Sequence, residues 1–241
     1  MRTRPSNRKV TSRAAWLAAG ALVVPVTLTA QTILSHGHMD LGVAYEAGAL
    51  ELHIHAHEPE PDGTEYAPGE AVIWIGTAAR TTVPANPAFS FLGVPGATTY
   101  LLPATFHPEL PFLGLGAEEI EGGVFVGDNL RLALTGFSGP GEFALYTSDA
   151  FGNPTLHVNT RDGLSEADHV NLRAGSHGHA NWAFSAPGDY FLTFVASGTL
   201  VGGGAIASDP ATFAFTVVPE PGTWVLWVLG VAALFGYARR K

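Results

Sequence analysis

Short apolar runs, many of them alternating with polar residues, recur along the chain between turn sequences. Alternation at period two puts every second side chain on one face of a strand, so these runs predict half-buried strands. They are Met39–Tyr45, Ala49–His55, Ala71–Thr77, Thr98–Leu102, Gly123–Val126, Leu130–Thr135, Glu142–Thr147, Leu156–Asn159, His179–Ser185, Tyr190–Ser197 and Ala211–Val217. Between them stand Pro59-Glu60-Pro61-Asp62-Gly63, Pro95-Gly96, Gly139-Pro140-Gly141, Gly152-Asn153-Pro154 and Pro187-Gly188, residues that preset or permit turn geometry. No segment of the body keeps a helical period over about eleven residues. The pattern predicts an all-β fold for residues 31–218, an antiparallel β-sandwich of immunoglobulin-like or jelly-roll-like type. A stretch rich in Pro, Phe and Leu, 84–122, is expected as a long insertion in that domain.

The two ends read differently. Residues 1–13 carry Arg2, Arg4, Arg8, Lys9 and Arg13, and an apolar stretch follows from Ala14 to Ala30. A basic region leading into an apolar one predicts a signal peptide over 1–30, an N-terminal signal helix cleaved after Ala30, with an uncleaved anchor as the alternative. At the other end, Pro219-Glu220-Pro221 precedes an apolar run from Trp224 to Ala238, closed by Arg239-Arg240-Lys241. The run is shorter than the ~20 residues of a comfortable span, which local bilayer thinning accommodates. It predicts a C-terminal transmembrane helix within 219–241, with the closing cations on the cytoplasmic side and the body outside. Order, spacing and terminal position resemble the PEP-CTERM sorting signal of Gram-negative bacteria. That resemblance implies an exosortase as partner, cleavage near the Pro-Glu-Pro, and display at the cell surface or in the extracellular matrix.

Composition narrows the function. With no cysteine among 241 residues, a disulfide scaffold, a thiolate metal site and a cysteine nucleophile are excluded. The formal net charge of −9 understates the acidity of the body, because eight of the 12 basic residues lie in the terminal segments. Residues 31–218 keep four arginines (Arg80, Arg131, Arg161, Arg173), no lysine and twenty acids, a net charge of −16. Such a surface repels phosphate backbones and excludes nucleic acid as a partner, while cations are favoured.

All ten histidines fall in this body, and seven of them form three tight groups: His36/His38, His53/His55/His57 and His177/His179. Spacing of two on a strand puts the members of each group on one face. Neutral imidazole is the commonest protein metal ligand, and two from one strand plus one from a neighbour make a three-nitrogen set. Asp40, Glu51, Glu58 and Glu60 stand close in sequence as oxygen ligands or partners that fix a ring tautomer. With nitrogen and oxygen donors only, zinc is the first expectation, with copper, nickel and manganese as alternatives. The bland alternative leaves these histidines solvated on strand surfaces. Glu118-Glu119 reads as part of a solvated loop.

Known histidine motifs fit in part. His36-Gly-His38-Met-Asp40 follows the metallo-β-lactamase string until Leu41 stands in place of its final His. Gly48, His53, His55 and Glu60 approximate the first cupin motif, but Ala67 occupies the position of its closing Gly. There is no G-x-S-x-G, Walker loop or H-E-x-x-H. No catalytic residues are assigned.

Read in order, His36-Gly-His38-Met-Asp40-Leu-Gly42, Ala79-Arg80-Thr-Thr-Val-Pro84, Phe91-Leu-Gly93, Gly139-Pro-Gly-Glu-Phe-Ala-Leu145, His177-Gly-His179-Ala-Asn181-Trp182-Ala-Phe184 and Ala186-Pro-Gly188-Asp-Tyr190 resemble the choice-of-anchor M domain of bacterial surface proteins. That domain is related to the actinobacterial surface-anchored protein domain. The resemblance implies a role in metal capture beside an ABC transporter of the metal-uptake type. It makes His36, His38, His177 and His179 the first-rank ligands, with His53, His55, His57 and Asp40 second. The expected function is thus a non-enzymatic, surface-anchored module that holds a divalent metal. A structural or adhesive surface protein without metal, and a cupin-like metalloenzyme, are the alternatives.

Overall fold

A computed structural model describes residues 30–57 and 63–219. The expected signal helix and C-terminal transmembrane helix fall outside the described residues, as do Glu58 and Glu60. Among the described residues, no helix is long and apolar enough to cross a membrane.

The strands in chain order are β1 (Thr32–Leu34), β2 (Gly37–Glu46), β3 (Ala49–Ala56), β4 (Thr64–Tyr66), β5 (Ala71–Ile75), β6 (Arg80–Thr82), β7 (Thr98–Leu102), β8 (Pro111–Gly116) and β9 (Phe125–Ser138). They continue with β10 (Phe143–Ser148), β11 (Pro154–Asn159), β12 (His169–Arg173), β13 (His177–His179), β14 (Asn181–Phe184), β15 (Gly188–Leu200), β16 (Ala205–Ala207) and β17 (Ala211–Val217). Three sheets result. One runs β1-β5-β17-β15-β9-β12, with β16 on the side of β15; the second runs β11-β10-β14-β7-β6; the third runs β13-β8-β2-β3-β4.

The fold is mostly β, as the alternation predicts, but the sheets are mixed rather than antiparallel. β5 runs parallel to both β1 and β17, and β2 runs parallel to β8. Parallel neighbours need a crossover through other structure, and here the partners come from far apart in the chain. Alternation fixes which face of a strand is buried, not which strand lies beside it or in which direction. Segment 84–122 is also no appendage: β7 sits inside the second sheet between β14 and β6, and β8 sits inside the third between β13 and β2.

One apolar core receives side chains from all three sheets. Tyr190, Leu192, Phe194 and Ala196 point into it from β15 at period two, and Phe213, Phe215 and Val217 do so from β17. Trp182 of β14 is fully buried, its ring centre 5.7 Å from Phe215 and 6.4 Å from Phe194. The third sheet contributes Met39, Leu41, Ile54, Leu113 and Leu115. Each large side chain removed from water contributes about 1.5–3 kcal/mol, which a chain without disulfides relies upon.

At the start of β15, the buried Tyr190 hydroxyl donates to the Ala186 carbonyl at 2.8 Å and accepts from the Ala186 N–H at 3.2 Å. Burial pushes its pKa up to about 12. Tyr190→Phe is expected to cost about 1–2 kcal/mol in denaturant unfolding at neutral pH, by leaving both Ala186 groups without their partner. The unfolded phenol ionises near 10, so the wild-type contribution is complete below that pH and is lost as pH rises through about 12. The gap in stability between wild type and variant should therefore narrow across that window.

Candidate metal centre

The alternation that buries one face of the third sheet fixes the other. In β3, Leu50, Leu52, Ile54 and Ala56 face the core, which turns His53 and His55 outward. In β2, Met39, Leu41 and Val43 face the core and His38, Asp40 and Gly42 turn outward; in β8, Leu113 and Leu115 face the core and Phe112, Gly114 and Gly116 turn outward.

Strand register assembles these residues into adjacent rungs. His179, Gly114, Asp40 and His55 lie side by side across β13, β8, β2 and β3. His177, Gly116, Gly42 and His53 form the next rung. On the other side, Phe112 pairs with His38, and the His57 N–H donates to the His38 carbonyl at 2.9 Å. The middle of the surface is a floor almost free of side chains. A Cβ on Gly114 would lie 1.9 Å from Asp40 Oδ1, and one on Gly42 would lie 2.7 Å from His53 Nε2. On Gly116 it would press on His177 Cβ at 3.3 Å. The glycines let rings from the outer strands lean inward over the sheet.

The turn after β8 supplies two more carboxylates. Ala117 and Ile120 are buried, and Ala117 is tied to β13's approach by its N–H to Ser176 and its carbonyl to Gly175. Glu118 and Glu119, between those anchors, reach over the imidazoles. Glu118 Oε2 lies 2.7 Å from His177 Nδ1, and Glu118 Oε1 lies 3.7 Å from His57 Nε2 and 3.9 Å from His55 Nδ1. Glu119 Oε1 accepts from His53 Nε2 at 3.1 Å and lies 3.0 Å from His55 Nδ1. Asp40 Oδ2 accepts from His57 Nε2 at 3.2 Å and lies 3.5 Å from His38 Nε2.

The rings stack as well as pair. His38, His57 and His55 follow one another at centroid spacings of 4.5 Å, nearly parallel. His179 lies flat on Phe112 at 3.6 Å. Six histidines and three carboxylates thus form overlapping groups whose ligand atoms are within 4.8 Å of one another. One group is His38, His177 and His179; another is His53, His55 and Glu119.

Several buried polar atoms here make no well-directed hydrogen bond: His38 Nε2, Asp40 Oδ1, both ring nitrogens of His55 (its Nδ1 close to Glu119 but out of line with it), and His179 Nδ1. Asp40 is 1% exposed. A buried polar atom left unmatched costs about 1–3 kcal/mol, a cost that a bound cation would offset. Burial is the main influence lowering the pKa of His38 and of His179, with nearby His rings adding to it and Asp40 opposing it. Both rings are therefore neutral at pH 7, the form that offers a lone pair to a metal.

Of the first-rank residues, His38, His177 and His179 come together, and so do Asp40, His53, His55 and His57. His36 does not join them. It lies exposed before β2, its Nδ1 3.1 Å from the Ser35 hydroxyl, and the positive φ of Gly37 (89°) breaks the alternation that would align it with His38. His157 bonds Thr147, His169 donates to the Glu166 carbonyl and His107 accepts from the Glu109 N–H, and none of the three joins the ligand groups of the row. Glu118 and Glu119 are the residues that sequence reasoning left in a solvated loop. The missed signal was Phe112-Leu-Gly-Leu-Gly116, a strand alternation with glycine on one face, leading into them.

Comparison with known proteins adds one identification. Residues 217–241 match the PEP-CTERM protein-sorting motif. No curated protein and no solved structure matches the chain. The motif implies an exported, membrane-anchored protein of a Gram-negative bacterium that is processed by an exosortase.

Proposed function

We propose that this protein is an exported, non-enzymatic binding module that holds a divalent metal ion outside the cell, with zinc as the first expectation. The observation that carries the reading is the convergence of His38, His177 and His179, their ligand atoms within 4.8 Å of one another, over the buried and half-unmatched Asp40. Three imidazoles are a complete protein ligand set for zinc, and the carboxylates around them fix ring orientation and raise ligand basicity. The acidic surface favours cation approach. The motifs that resemble the choice-of-anchor M domain contain His38, Asp40, His177 and His179, and that resemblance supports metal capture at the surface with a metal-uptake ABC transporter as partner. Without a metal, the same histidine–carboxylate pairs would cross-link β13, β3 and the Glu118 turn, as a structural or adhesive protein would use them.

Zinc titrated into the full-length, metal-stripped protein should raise its melting temperature. At a hundredfold excess over Kd the gain is about 2.7 kcal/mol. His38→Ala and His179→Ala should each reduce that gain, whereas His36→Ala should keep it in full. No stoichiometric zinc and an unchanged melting temperature would leave the structural reading in its place.

Gly114→Ala offers a separate check, because its methyl group would drive the Asp40 carboxylate out of position. It should weaken zinc binding at least tenfold in isothermal titration, although no ligand has been removed. Wild-type affinity in this variant would mean that Asp40 and the bare floor do not shape the site.

A further inference from the structure

We infer that the row holds two metal ions side by side, with Glu118 bridging them. This rests on the metal-binding reading and specifies its capacity. Two of the ligand groups share no residue: His38, His177 and His179 at the β13 side, and His53, His55 and Glu119 at the β3 side. Each brings three donors, so each has a ligand set of its own.

One ion cannot collect both sets. Zinc–nitrogen bonds are about 2.0–2.1 Å, so donors to one tetrahedral ion stand about 3.4 Å apart. The rings run from His38 through His57 and His55 to His53 at successive centroid spacings of 4.5, 4.5 and 6.1 Å. His179 and His55 sit on the same rung with β8 and β2 between them. Adjacent strands are about 4.8 Å apart, which separates their backbones by about 14 Å.

Between the two sets stand groups that face both ways. Glu118 turns Oε2 toward His177 at 2.7 Å and Oε1 toward His57 and His55 at 3.7 and 3.9 Å. Asp40 belongs to the groups of His38 with His57 and of Glu118 with His177. A carboxylate with one oxygen toward each end is the geometry of a bridge between paired metals, which lie about 3.5–4 Å apart when closely bridged. Charge points the same way: Asp40, Glu118 and Glu119 carry more negative charge than one dication neutralises. The unmatched imidazole nitrogens also lie at both ends, at His38 and His179 on one and at His55 on the other.

The experiment is metal analysis of the full-length protein after equilibrium dialysis against zinc, with copper(II) loading as a spectroscopic check. Two zinc ions per chain are expected. His179→Ala and the pair His53→Ala/Glu119→Gln should each reduce the count to one, and copper(II) should give the half-field resonance of two coupled spins. Glu118→Gln, which keeps the side chain's size, should weaken that coupling. One ion per chain in the wild type overturns the inference while leaving the metal-binding reading standing. So do two ions without spin coupling, because Glu118 would then bridge nothing. No bound ion removes both.

Discussion

The missing Cβ of Gly114 is the constraint on which the rest of the site depends. Asp40 is buried in the space where that atom would be, 1.9 Å from its Oδ1, and the imidazoles of three strands converge above the same floor. A sheet face normally fills with side chains that stand upright and keep their neighbours apart. Here β8 presents Gly114 and Gly116, and β2 presents Gly42, so rings rooted on the flanking strands lean together. The cost is weaker intrinsic strand propensity, since glycine loses the most conformational freedom on ordering. Leu113 and Leu115 offset it by burying themselves on the opposite face. Core and site are two faces of one alternation, and a one-residue slip of β8 would exchange them.

Electrostatics completes what packing begins. Three carboxylates close to six histidines raise two competing outcomes, protonated imidazoles that neutralise them or neutral imidazoles that share a cation with them. Burial tips His38 and His179 toward the neutral form. The hydrogen bonds from His57 to Asp40 and from His53 to Glu119 commit the Nε2 of those rings, a tautomer choice that a bound metal would rearrange. An acidic, lysine-free body suits this arrangement because no flexible ammonium competes for the carboxylates.

Much of this was legible in the sequence where alternation was strong. β7 and β17 fall where their apolar patterns place them, and His53 and His55 share a face because they sit two apart in β3, with His57 just past its end. The reading failed where a local rule met a non-local fact. Gly37 takes a left-handed φ, so His36 and His38 part company despite their spacing. β8 was hidden because two of its three outward positions are glycines, which carry no hydrophobic signal, and because its partners β2 and β13 are distant in the chain. Missing β8 meant missing Glu118 and Glu119, whose positions follow from the turn that ends it. The parallel pairs of β5 and of β2 with β8 likewise depend on which strands meet, which no single strand's pattern encodes.

The terminal sorting motif and the histidine row join in one account: an exported β-domain whose candidate ligands are histidines and carboxylates rather than cysteines, which oxidise readily in such settings. The most direct test of its central claim is the zinc X-ray absorption fine structure of the zinc-loaded full-length protein. The account predicts a first shell of nitrogen and oxygen near 2.0–2.1 Å, with the outer-shell pattern of several imidazoles per zinc. A shell of oxygens alone, as for hydrated zinc held loosely by surface carboxylates, would contradict it.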